Sequence, residues 1–149
     1  MAISLVDVED LSNYTESTFT PKLADAVSGG NESSTDAAEA VYTKIGRVVF
    51  FMVRFSNIST SGMTAANALY MTGLPFVNAM TNAFPCSIWA QSVTGLDTNI
   101  LQLTARVAAG SDSVVRFEEM TKSGTDSTFH INDISNGATD FEIAGFYFT

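Results

Sequence analysis

One segment limits what this chain can fold into more than any other: Val48-Val49-Phe50-Phe51-Met52-Val53-Arg54-Phe55 is apolar on both sides of a two-residue period. Read as a strand, it puts Val49, Phe51, Val53 and Phe55 on one face and Val48, Phe50 and Met52 on the other, because successive side chains alternate. An antiparallel sheet normally leaves one face in water, so such a strand needs a second cover, from the same chain or from a neighbouring subunit. The stretch Phe141 to Phe148 repeats the pattern, with Phe141, Ile143 and Tyr147 set against Ala144, Phe146 and Phe148. Two strands of this kind in 149 residues favour an oligomer, with folded-over loops or the N-terminal segment as the alternative cover. Val48, Phe50, Met52, Phe146 and Phe148 are the expected interface residues.

From about Val41 onward, short β-type runs recur with Gly, Asn, Asp or Pro between them. The pattern predicts strands near 41–45, 47–56, 67–72, 86–93, 98–107, 113–119, 127–131 and 140–148. About eight antiparallel strands suit an all-β jelly-roll-like sandwich. In 99–107, Leu101, Leu103, Ala105 and Val107 are expected on one face, with Gln102, Thr104 and Arg106 on the other.

The region before Val41 differs. Residues 1–44 hold eight acids and two lysines, net -6, of the whole chain's -9. Ser4 and Asp7 fit the capping pattern of a short helix carrying Leu5, Val8 and Leu11 on one side, so residues 1–18 read as an N-terminal docking arm. Residues 19–40 read as an extended segment and linker, with Ser28 to Ala40 a run of small and polar residues, and residues 41–149 as the β-domain.

Sixteen acids against seven bases argue against a nucleic-acid partner, since phosphate backbones are repelled. The longest apolar run, Val48 to Val53, is far short of the roughly twenty residues a spanning helix needs, so no membrane insertion is expected. One cysteine, Cys86, and one histidine, His130, cannot assemble a Cys/His zinc set. No metal or cofactor is expected.

Candidates for chemistry are few. His130 follows Phe129 and precedes Ile131, which places it on the outer face of its strand, with Asp126 and Asp133 each across a turn. Glu118 and Glu119 are adjacent on a strand and therefore face opposite sides, unable to act together on one bond, and read as solvated edge charges. No glycine precedes a helix in the manner of a phosphate loop. The chain reads as a non-enzyme with no catalytic residues. Trp89 is a candidate glycan contact through its stacking surface, with a subunit contact as the alternative.

Two motifs carry a resemblance. Tyr42-Thr43-Lys44-Ile45-Gly46 ahead of the Val48 strand, followed by Thr72-Gly73-Leu74-Pro75-Phe76, resembles the compact trimeric β-domains of tailed-bacteriophage virion proteins: head fibres, capsid decoration knobs and tail-fibre tips. Phe19-Thr20-Pro21-Lys22-Leu23 and Gly145-Phe146-Tyr147-Phe148-Thr149 look like the opening and closing strands of such domains, so the likeness covers residues 19–149. It implies such a β-fold and a place on the virion surface, assembled in the host bacterial cytoplasm; the two-sided strands make the expected oligomer a homotrimer, and the Leu5, Val8 and Leu11 side of the arm is expected to dock on another virion protein, the capsid in the first instance. The resemblance also implies decoration of the particle, with host-surface glycan contact as a further expectation. The alternatives are the receptor-binding tip of a short tail fibre, a lectin-like module or, further off, a polysaccharide depolymerase.

Overall fold

A computed structural model describes residues 13–94, 100–110 and 113–149. Leu5, Val8 and Leu11 lie outside the described residues. The described chain is all-β: ten antiparallel strands, a 3-10 turn at Ile131–Asp133, and no α-helix among the described residues. The strands are β1 (Tyr14–Thr18), β2 (Lys22–Ala24), β3 (Glu39–Ile45), β4 (Val48–Phe55), β5 (Tyr70–Thr72), β6 (Phe84–Gln91), β7 (Ile100–Val107), β8 (Val115–Thr121), β9 (Asp126–Thr128) and β10 (Asp140–Phe148). They form a single curled sheet in the order β1-β3-β4-β10-β6-β7-β8-β5-β2, with β9 paired to β8. The curl folds the β8, β5 and β2 side back over β4 and β10, which is the jelly-roll-like closure of a sandwich around one core.

The core is built from the inner faces. Val49, Phe51, Val53 and Phe55 of β4 and Phe141, Ile143 and Tyr147 of β10 are buried together with Leu23, Met71, Val107, Val115, Phe117 and Phe129. Phe117 stacks on Phe141 at 5.5 Å, and Phe129 meets the same ring edge-on at 6.1 Å, so β8 is clamped to β10 across the sandwich. β4 and β10 are hydrogen-bonded over eight residue pairs, from Phe141↔Phe55 to Phe148↔Val48.

Gly46 and Arg47 form the two-residue loop between β3 and β4, with Gly46 at φ +57°, a conformation glycine adopts without the Cβ penalty. Gly73 (φ +78°) follows β5, and a Cβ there would sit 2.8 Å from the Thr20 carbonyl oxygen. That close approach lets Leu74 enter the core and sets the Phe76 N–H to donate to the Tyr147 hydroxyl at 3.2 Å. Burial pushes the Tyr147 phenol up to about 12, so it stays neutral and serves as a structural acceptor.

Two expectations are corrected. Leu101 does not share the inner face with Ala105 and Val107: the β7–β8 register shifts between Ile100 and Gln102, and Leu101 is 62% exposed. The bulge adds one residue and re-aims that end of the strand, which a strict two-residue period cannot anticipate. Glu119 is not a solvated edge charge. It is buried, with Ser127 donating a hydrogen bond to its carboxylate at 3.3 Å, because β9 lies alongside β8 at this point.

Gly145 has a different constraint. Its φ is ordinary, but the side chains of its cross-strand partners on β6 and β4 stand so near that an added Cβ would lie 2.7 Å from Cys86 Sγ and 3.2 Å from the Phe51 ring. Gly145→Ala should cost about 1–3 kcal/mol by overpacking. Denaturant unfolding should show that loss, with a substantial part returned when Cys86→Ala removes the sulfur; no recovery in the double variant would exclude this contact as the cause.

Candidate functional site

The outer face of the sheet is where β4 and β10 depart from an ordinary solvated surface. Phe50 is 49% exposed, Met52 44% and Phe146 40%, and Val48 and Phe148 are half-buried beside them. Pairing aligns them in rows: Ile45–Val48–Phe148, then Thr43–Phe50–Phe146, then Val41–Met52–Ala144–Ser87. Phe50 and Phe146 are 6.1 Å apart centre to centre, and Phe84 joins Phe146 and Phe148 at 5.8 and 5.4 Å. The five residues picked out by the two-sided pattern thus form one contiguous aromatic and aliphatic patch on β4 and β10, and Ile45 of β3 and Phe84 of β6 extend it. Those two were missed because one ends a hairpin and the other begins a strand, where alternation gives least information.

The next row is polar. Glu39 of β3, Arg54 of β4, Glu142 of β10 and Trp89 of β6 are successive partners across the sheet. Arg54 Nε is 3.7 Å from the Glu142 carboxylate, and both side chains are about half exposed. Trp89 is 52% exposed and bounds two hollows, one toward Glu142, Ala144 and Met52, the other toward Gln102, Leu103 and Ser92.

The groups considered for chemistry are dispersed. Phe129 and Ile131 are buried and His130 lies partly outside them, its Nδ1 3.9 Å from the Asp133 carboxylate while its backbone N–H donates to the same oxygen at 2.8 Å. Asp133 therefore pins the turn. Glu118 pairs with Arg106, whose Nε donates at 3.1 Å, on the opposite face from buried Glu119. Burial pushes the Cys86 thiol up to about 11, which leaves it protonated and unreactive at neutral pH. Among the described residues no cluster of three His, Cys, Asp or Glu side chains could hold a metal ion, and no helix is long and apolar enough to cross a membrane.

The described residues thus set an exposed aromatic stretch of one sheet face beside a polar row. Among solved structures, the chain is similar to the crystal structure of the Dettilon tailspike protein, with a TM-score of 0.67 and 16% sequence identity over 93% of this chain. The match occupies 25% of the tailspike chain, so this protein spans about a quarter of that molecule's length, and the likeness is one of fold. No family model and no curated protein matches the sequence.

Proposed function

We propose that this protein is a non-enzymatic structural component of a bacteriophage particle, a homotrimer whose subunits meet through Val48, Phe50, Met52, Phe146 and Phe148. The observation that carries the reading is the exposed aromatic patch: beside a core buried on the inner sheet face, Phe50, Met52 and Phe146 remain 40–49% exposed on the outer one. Contiguous apolar surface of that kind marks a site of association. The resemblance of the Tyr42–Gly46 and Thr72–Phe76 motifs to trimeric virion domains, and the fold shared with part of a tailspike, support the phage setting.

In this reading the domain decorates the capsid as a knob or head fibre and aids adsorption to the host surface. The arm residues Leu5, Val8 and Leu11 seat in an apolar groove of a capsid protein. A second reading, the receptor-binding tip of a short tail fibre, is favoured by the tailspike likeness alone. Imaging particles with and without the protein separates the two. Density lost from the capsid with adsorption retained supports the knob, whereas density lost from the tail together with adsorption supports the tip.

Attachment has its own check. Replacing Leu5, Val8 and Leu11 together by Asp in the full chain should leave the oligomer intact and reduce its occupancy on particles at least about tenfold, the effect of losing a small apolar anchor. Normal occupancy for the triple variant would remove the arm from the attachment mechanism.

A further inference from the structure

We propose that the Trp89 row is a carbohydrate-binding platform for neutral oligosaccharides. The inference rests on Trp89 as a ligand contact and not on the oligomer. β6 and β7 pair only over Phe84↔Val107, Pro85↔Arg106 and Cys86↔Ala105, although β6 runs on to Gln91 and β7 starts at Ile100. Beyond Cys86 and Ala105 the two strands part. Between them opens a hollow of about 470 Å³, lined by Ile88, Trp89, Ala90, Ser92, Gln102 and Leu103. That volume is ample for a sugar unit and lies in the usual range for small-molecule sites.

The chemistry around the indole is mixed in the way a sugar requires. An apolar ring face covers the C–H side of a pyranose, and amide, hydroxyl and carboxylate groups at its margins exchange hydrogen bonds with the hydroxyls. Here Gln102 and Ser92 stand on one side of Trp89, and Ser87 and Glu142 on the other. Ser92 is in the left-handed region at φ +56°, a strained position for a non-glycine residue. Its carbonyl is held by the Thr139 hydroxyl at 2.7 Å, which keeps that end of β6 at the mouth of the hollow. Because open space lies on both sides of the indole, the ligand is an oligosaccharide passing over Trp89 rather than a single residue.

Charge selects neutral sugars. Arg54 is the one cation of the row and sits against Glu142, while Glu39 adds a carboxylate at its β3 end and Asp140, paired with Gln91, another in the adjacent row. A chain of net charge -9 would repel uronic or sialic acids.

Trp89 is the sole tryptophan, so its fluorescence reports this site alone. The full-length protein should be applied to an array of neutral hexose and N-acetylhexosamine oligosaccharides printed beside uronic- and sialic-acid counterparts, and the bound glycans titrated by fluorescence. Neutral glycans should bind and shift the emission. Trp89→Ala should weaken them on the order of 100-fold, as loss of an aromatic anchor does. Trp89→Phe should retain part of the affinity, and Gln102→Ala and Glu142→Ala should each cost about tenfold. Failure of every neutral glycan to bind, preference for acidic glycans, or affinity unchanged in Trp89→Ala would overturn the proposal. So would dissociation of the Trp89→Ala oligomer in light scattering, which would make Trp89 a subunit contact. A monomeric wild-type protein that binds neutral glycans would instead strike the trimer and leave the platform standing.

Discussion

Replacing Phe50 and Phe146 together by Asp should convert the proposed trimer, three times 15.9 kDa, into a folded monomer, read by light scattering. Both rings are 40–49% exposed in the single chain, so the change costs the isolated fold their mutual contact, those of Phe146 with Phe84 and Phe148, each worth about 0.5–1.5 kcal/mol, and the repulsion of two carboxylates placed directly opposite, a loss of a few kcal/mol that a domain of this size can bear. In the oligomer every copy would bring two carboxylates into an apolar seam, where each unpaired buried charge costs several kcal/mol. Dissociation should therefore be complete at micromolar concentration, with the β-sheet signal unchanged. Wild-type protein already running at 15.9 kDa, or a double variant that stays assembled, would show that this face does not join subunits.

The second large effect is expected at Asp25, far from that face. Its buried carboxylate accepts from the Asn31 backbone N–H at 2.7 Å, the Asn31 side-chain amide at 2.9 Å and the Thr64 N–H at 2.8 Å. It thereby ties the end of β2 to the segment after β4. Asp25→Ala should destabilise the fold by about 3 kcal/mol, because buried donors lose a charged acceptor. For a chain of this size that corresponds to a fall in melting temperature of roughly 10 °C.

The same contacts, with the Asn31 amide foremost, hold the Asp25 carboxyl below its ordinary value of 3.8. In acid the unfolded chain then binds the proton more readily than the folded one. The contribution is complete above the ordinary carboxylate range and is lost as pH falls through the lower, folded value. Wild type should accordingly lose stability below about pH 4 more steeply than Asp25→Ala. Parallel acid limbs for the two proteins would rule this linkage out.

Much of the architecture follows from alternation alone. The β4 and β10 patterns identify both the inner core set and the five uncovered residues opposite, because side-chain direction in a strand depends only on position along it. The positive φ at Gly46 and Gly73 is equally local, since glycine adopts it without a Cβ penalty wherever it occurs. What local pattern could not supply was anything set by a neighbour distant in sequence. Ser28 to Ala40 has the composition of a linker, yet Gly30 is packed so that a Cβ would meet the Asp25 carboxylate at 2.5 Å, and Asn31 completes that carboxylate's bonding. Tyr14–Thr18 lies in the segment read as an arm and is strand β1 by virtue of its pairing with β3. Leu101 is exposed and Glu119 is buried, each against expectation, because a bulge in one strand and the close lie of β9 are tertiary events. The order β4-β10-β6 likewise decided that Arg54, Glu142 and Trp89 share a row, since strand neighbours are chosen by how the whole sheet curls to bury its inner face, not by spacing along the chain.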